Sequence, residues 1–549
     1  MKRLFALILG MMACVGYASA QVTITYDNEA EWKAYDDFNT AFLDNSRNIY
    51  KADTKQPKAD HRGNGFRDND VSGCAAAIWC QAIMYDMVIN AYNRAVKEGN
   101  EARASKYKNL HNKIYAGEKR HYVSFDFHNP NTNNGWFVYD DIMWWTCALA
   151  RAYQTFGKSE YLTYSERSFC RVWYGSPSVG DDGSYADPAR FPGASGGGMF
   201  WEWQPIAHAD PHQPGDFRSA CINFPTVIAA CLLHQLVPEG RTPPTTEYPT
   251  KQTKEWYLEK AKEIYAWADG TLVNSSGRVA DGIHGGGPEY SDHLYNQATY
   301  IGASCLLYLL TNEVSYITKA QKAANYVMSK MCIGNILKYE NGYEQGIYAA
   351  IYAQYMKILI YECGLSEALT RKYLTHIQRN LQKAYTNMDQ TCGIQIGNFL
   401  KPTSADDVVE SYGGSGMPAL MLMFPASDTA TPIEKVSEKK YLEHVQKNIQ
   451  RAYTNMDQTR GIQLGNFAKA TAEDAVVESY GASGMPALML MFPATDPTPI
   501  NEVGEKKYDG PSDVYTPDGK LVMKDATSEQ VHQLDSGLYI FQRKKIFVR

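Results

Sequence analysis

The stretch FVYDDIMWWTCALARAYQTFG, residues 137–157, decides how this chain is read. From Ile142 to Tyr153 apolar residues occur at nearly every step, which predicts a helix buried on all sides. Asp140 and Asp141 stand at its first turn, between Tyr139 and Trp144. Consecutive helical residues point roughly 100° apart, so inside a regular helix the two could not face one way. At a first turn they can flank one object, and the free N–H groups and the helix dipole favour negative charge there. One reading is that one aspartate caps the helix and the other is solvated. The other is chemical. The loop Asn133-Asn134-Gly135-Trp136 precedes the pair, as a site rim would, and Trp136, Tyr139, Trp144 and Trp145 bracket it. An aromatic surround raises the pKa of one carboxyl while its neighbour stays ionised. A retaining glycosidase divides labour in that way, with its carboxyl groups ~5 Å apart across the scissile bond.

Outward from this helix, apolar residues recur at helical spacing through most of the 549-residue chain, and alternating strand patterns are scarce. Helices are expected near 29–48, 73–97, 101–117, 140–156, 160–174, 217–236, 254–272, 292–311, 315–331, 343–363, 371–388 and 411–424. Twelve helices make six hairpins, which can close into an (α/α)6 barrel with the first helix of each hairpin inside and the second outside. An open helical array fits the same count. The expected class is therefore all-α, with the barrel over residues 21–432.

Residues 373–428 then reappear at 441–496, identical at 42 of 56 positions. Two copies confined to one end indicate a local duplication rather than a solenoid. The first copy would complete the sixth hairpin and the second, within 433–500, would be surplus; its Cys392 becomes Arg460, a change suited to an exposed position. Residues 501–549 change character: VYTPDGKLV and GLYIFQRKKIFVR read as short strands around turns, a small β module.

Bulk properties narrow the function. The net charge is −6 with no basic stripe, so nucleic acid is not an expected partner. Lys2 and Arg3, the apolar run Leu4–Val15 and Ala18-Ser19-Ala20 form a secretory signal over 1–20, so export to the surface, the medium or the periplasm is expected. A lipid-modified Cys14 is the competing reading of that segment. No later segment is apolar enough to span a bilayer. The remaining cysteines sit mostly in apolar helical runs and read as buried thiols, with few or no disulfides. His208, Asp210, His212 and Asp216 have metal-ligand chemistry but no defensible spacing, so neither metal nor cofactor is expected. The chain is expected to be a monomer.

The string YDDIMWWTCALARAYQTFG, followed by EYL, resembles the signature YDD-x-x-WW-x-x-A-x-x-x-AY-x-x-T-G of glycoside hydrolase family 76, the endo-acting α-1,6-mannanases. GGGMFWEW (196–203), ACINFPTVIAACLL, YLEKAKEIYAWADGTLVNSSGRVADGI and LYNQATYIGASCLLYLLTNEVSYITKA resemble further family segments in the family's order, over roughly 30–425. The resemblance implies an (α/α)6 barrel, a retaining mechanism on α-mannan, Asp140 as nucleophile and Asp141 as general acid/base. The residues themselves leave those two roles open. Asn134, Trp136, Tyr139, Trp144, Trp201, Trp203, Asp281, Tyr295, Asn296 and Gln297 are the candidate sugar contacts. The chain departs from the family pattern at Ile142-Met143, around Arg218–Asn223 and at Ala298. Those departures keep two alternatives open: a catalytically weak glycan-binding barrel, and an (α/α)6 hydrolase of another sugar such as an unsaturated uronide. The latter would need a basic group near the aspartates, with Arg151 and Arg190 as candidates. The tail INEV…VYTPDGKLV…LDSGLYIFQRKKIFVR resembles the C-terminal sorting modules of exported Bacteroidetes proteins.

Overall fold

The computed structural model describes residues 22–59, 74–129, 136, 138–193, 196–202, 217–243, 251–283, 287–340, 344–427, 449, 452–457 and 470–472, and four strands between 512 and 548. The chain divides into two compact units, Met1–Glu443 and His444–Arg549.

Among its described residues the first unit carries twelve helices longer than one turn: α1 (Asn28–Phe42), α2 (Ile78–Lys97), α3 (Glu101–His121), α4 (Tyr139–Phe156), α5 (Ser159–Tyr174), α6 (Ala220–Leu236), α7 (Lys254–Leu272), α8 (Leu294–Thr311), α9 (Val314–Lys330), α10 (Tyr348–Tyr361), α11 (Glu367–Thr386) and α12 (Gly416–Met423). The even-numbered helices pack in a ring, α2 on α4, α4 on α6, α6 on α8, α8 on α10, α10 on α12 and α12 back on α2. The odd-numbered helices lie outside them. This is an (α/α)6 barrel.

In the closely packed pairs α2–α3, α4–α5, α6–α7 and α8–α9 the first helix is inner and the second outer, as expected, but the pairing starts one helix later than the count from the N-terminus, because α1 lies outside. Side-chain chemistry explains it. In α3 only one face is buried, including Tyr107, His111, Ile114, Tyr115 and Glu118, and Asn100 caps it by accepting from the Arg103 N–H. In α4 every residue from Tyr139 to Ala150 is buried, which a ring position allows and an outer position does not. The first expected helix also ran too far. It stops at Phe42, because Leu43–Asp44 pairs with Ile49–Tyr50 and the Asp44 carboxylate holds the intervening turn through the Ser46 and Arg47 N–H groups. The last, 411–424, is a single turn at Ser411–Gly414 followed by α12.

Inner-to-outer links are short, apart from 237–253 between α6 and α7. Helix α4 ends at Gly157, left-handed at φ 69°, and α5 begins at Ser159; α8 ends at Asn312, φ 59°, before α9. Outer-to-inner links are long, for example 175–219 between α5 and α6. All six inner helices therefore start at the loop-rich end of the barrel, and their N-terminal N–H groups gather at that mouth.

The first repeat copy supplies α11 and α12 and so completes the ring. Cys392, which differs between the copies, is exposed. The second unit repeats the local structure where it is described. Thr471 N–H donates to the Asn455 carbonyl at 2.8 Å, as Thr403 does to Asn387 at 2.8 Å, and Asp457 is buried like Asp389. The tail forms an antiparallel sheet in the order Lys544–Val548, Gly537–Phe541, Ser512–Tyr515, Leu521–Ala526. Among the described residues no helix is long and apolar enough to cross a membrane, and the ten described cysteines are all free thiols.

Candidate active site

The first turn of α4 opens at the mouth. Among the described residues no side chain caps it, and its first-turn acids are Asp140 and Asp141. Residues 201–202 pin this turn: Tyr139 N–H donates to the Trp201 carbonyl at 3.0 Å, and Val138 bridges Glu202. That segment is held in turn by α6, whose Asn223 side chain bonds both the N–H (2.9 Å) and the carbonyl (3.1 Å) of Met199. A three-stranded ribbon, Arg218–Ser219, Gly282–Ile283 and Pro288–Glu289, carries Asp281 to the start of α6, where its carbonyl accepts from Ala220 N–H at 2.7 Å.

Both aspartates are buried, at 8% and 1% exposure, so neither is a solvated cap. Among the described residues Asp140 Oδ1 takes no hydrogen bond. Burial raises the Asp140 pKa to about 7, opposed by hydrogen bonds from the Cys221 thiol, the backbone N–H groups of Asp140 and Asp141, and Trp201. No basic side chain stands among those causes. Cys221 itself is buried, with Ser219 Oγ 2.9 Å from its sulfur, and the neighbouring carboxylates of Asp140 and Asp281 and its own burial push its thiol pKa well up. Asn296 donates to Asp281 Oδ1 at 2.9 Å while its own Oδ1 has no partner among the described residues. Tyr295 stacks on Tyr348, ring centroids 4.2 Å apart, within electrostatic reach of Asp140, Asp281 and Cys221. Asp140, Asp141, Trp201, Asp281, Tyr295 and Asn296 thus converge from four separate stretches of sequence.

Other expected contacts are placed elsewhere. Tyr139 is fully buried, its hydroxyl donating to Asp181, which pairs with Arg171. Trp136 packs into the core against Tyr122 and Phe127. Gln297 holds the 277–279 turn, its nitrogen donating to the Gly277 carbonyl (2.9 Å) and its oxygen accepting from Val279 N–H (2.7 Å). Trp144 is 2% exposed and lies beneath Trp79, ring centroids 6.0 Å apart. Asn134, Trp203 and the 208–216 loop lie outside the described residues. Ile142, Met143 and Ala298 are all fully buried, so the family departures there alter wall packing. The basic residues put forward for a uronide are both committed, Arg151 to Asp86 inside the barrel and Arg190 to Asp182 on an exposed loop.

The sequence reading missed Cys221, taken as a small buried hydrophobe, and also Trp79, His293 and Tyr348. Each lies at or just before an inner-helix start, and that position is the signal that finds them.

Residues 36–424 match the model of Glycosyl hydrolase family 76. No curated protein matches the chain. Among solved structures, the α-1,6-mannanase of Salegentibacter sp. HEL1_6 is 22% identical, over 72% of this chain and 98% of that one, with a TM-score of 0.55. An inactive variant of that enzyme, substituted at two adjacent aspartates, holds α-1,6-mannotetrose and is 21% identical, over 72% of this chain and 97% of that one, with a TM-score of 0.55. The Lin0763 protein of Listeria innocua is 23% identical, over 73% and 98%, also with a TM-score of 0.55.

Proposed function

Because this chain belongs to glycosyl hydrolase family 76 and is a glycoside hydrolase of that family, we propose that it cleaves α-1,6-mannosidic bonds inside mannan chains with retention of configuration. The observation that carries this reading is the buried Asp140–Asp141 pair at the barrel mouth, held without a cation beside Asp140 among the described residues. The mannotetrose held by a similar barrel supports the choice of substrate.

In the proposed reaction Asp140 attacks the anomeric carbon while Asp141 protonates the leaving oxygen. Asp141 then takes a proton from water, which releases the sugar from Asp140. The family resemblance supports that order of roles, and the donors on Asp140 offset part of the burial that raises its pKa. Burial beside a second carboxyl keeps one proton on the pair near neutrality, and the acid step needs that proton. The Lys2–Val15 segment with Ala18-Ser19-Ala20 supports export, so polymeric mannan outside the cytoplasm is the proposed encounter.

The test is hydrolysis of linear α-1,6-mannan, with product anomers read early. Retained configuration is expected, as is a loss of at least ~10³-fold on changing both aspartates to Asn. Activity surviving that double change would rule the mechanism out. Azide separates the roles. With Asp140→Ala it should yield the inverted glycosyl azide, and with Asp141→Ala the retained one.

A further inference from the structure

Beside the aspartates, four rings from three inner-helix starts form one continuous surface. Tyr295 stacks on Tyr348 with 12° between their planes. The His293 ring meets both edge-on at 6.0 Å, and Trp79 lies 6.4 Å from both. Trp79 continues the surface to Trp144 on the catalytic helix. Two glutamates from the segment leading into α10 hold its ends. Glu344 accepts from Trp79 Nε1 at 2.5 Å. Glu340 sits 2.7 Å from His293 Nδ1 and also accepts from Leu294 N–H at 2.8 Å, which fixes the imidazole to the helix start.

The wall is backed rather than buried. His293 and Tyr295 are partly exposed, while Trp79 and Tyr348 behind them are at 7% and 8%. With Nδ1 committed to Glu340, His293 Nε2 is the nitrogen left to meet a ligand. The charges acting on His293 are those of Glu340, Asp281 and Asp292, the last of these paired with Arg278. An acidic surround of this kind disfavours uronides and phosphorylated sugars and accepts a neutral pyranose, whose C–H face stacks on rings and whose hydroxyls bond to side chains.

We propose that His293 and Tyr295, backed by Trp79 and Tyr348, form a subsite for a neutral hexose adjoining the scissile position, with Glu340 and Glu344 as positioning residues. The inference rests on the mannan reading and assigns the wall its substrate contact. Neither glutamate touches the sugar; each acts through the ring it holds.

The experiment measures calorimetric binding of α-1,6-mannotetraose and of mannose to full-length protein carrying Asp140→Asn and Asp141→Asn, with and without His293→Ala. Tetraose binding is expected to weaken about tenfold and mannose binding to stay within twofold. Glu340→Ala should copy His293→Ala, and Glu340→Gln, which keeps an acceptor, should restore binding at unchanged melting temperature. Tetraose affinity within twofold of the parent, or an equal loss for both ligands, overturns the subsite. If the unaltered protein cleaves α-1,6-mannan while His293→Ala binds normally, only this inference falls. If the unaltered protein neither cleaves nor binds the tetraose, the mannan reading falls and the subsite with it.

Discussion

Buried carboxylates occupy two settings in this barrel. Along the wall four have an arginine: Glu31 pairs with Arg94 at 2.5 Å, Asp86 with Arg151, Glu166 with Arg241 and Asp181 with Arg171, while Glu118 on α3 is fully buried with neither oxygen hydrogen-bonded among the described residues. At the mouth Asp140 is also buried and has hydrogen-bond donors but, among the described residues, no cation. Burial raises Asp86 and Glu166 too, yet there the guanidinium opposes it directly. An unpaired buried acid costs the fold stability, and paired acids along the same helices show that the barrel can supply cations. Burial without a cation is shared by Glu118 on an outer helix, so it does not mark the site alone; at the mouth it coincides with a second aspartate and with Asp281 and Tyr295, the setting expected of a group that must exchange protons.

The wall side of this contrast can be broken at Arg151. Arg151→Met leaves Asp86 buried without its partner, in a small cavity also lined by Asn90, Gln354 and Tyr355. The expected loss is about 3–5 kcal/mol of unfolding free energy. Adding Asp86→Asn should recover much of it, because no uncompensated charge remains. Denaturant unfolding of the single and double variants measures both. Equal stability of the single variant and the parent would place Asp86 with the mouth acids and dissolve the distinction.

The mouth side predicts the opposite sign. Asp140 sits near 7 in the fold and near 4 when unfolded, so between those values the folded state holds the extra proton. Stability therefore falls as pH rises through that window, and the full penalty is present above pH 7. Asp140→Asn removes it. The variant should melt higher than the parent at pH 8 and together with it near pH 4, while losing hydrolysis. Melting curves across pH check this. A destabilised variant at pH 8 would mean that the aspartate is held as well as its counterparts on the wall.

Much of this was readable from residues close together in sequence. Helical spacing and the all-round apolar character of 142–153 were enough for a ring of helices, and the adjacent aspartates for a site. Where the pairing starts was not, because it depends on which helix of two neighbours is apolar all round, and that shows only when neighbours are compared. The site's other members, Trp79, Cys221, His293 and Tyr348, lie far apart in the chain and meet only because six inner helices begin at one end. Nearness in sequence also misled. Trp136 and Tyr139 flank the aspartates, yet one residue of helix turns a side chain by about 100°, enough to take Tyr139 from the cleft into the wall.

That turn makes Tyr139 the finest test of the boundary, since it is adjacent to Asp140 in sequence but belongs to the paired set. Its hydroxyl donates to the Asp181 carboxylate, fully inside the wall, and burial with that neighbouring charge pushes the phenol pKa well up, so it stays a donor at any working pH. Tyr139→Phe removes one bond to a charged acceptor and leaves Asp181 its arginine and the Gly183 N–H at 2.9 Å. The expected cost is about 1.5–3 kcal/mol in stability, with kcat and KM on α-1,6-mannotetraose within twofold of the parent. A variant of unchanged stability but raised KM would move Tyr139 into the cleft and shift the line between wall and mouth by one residue.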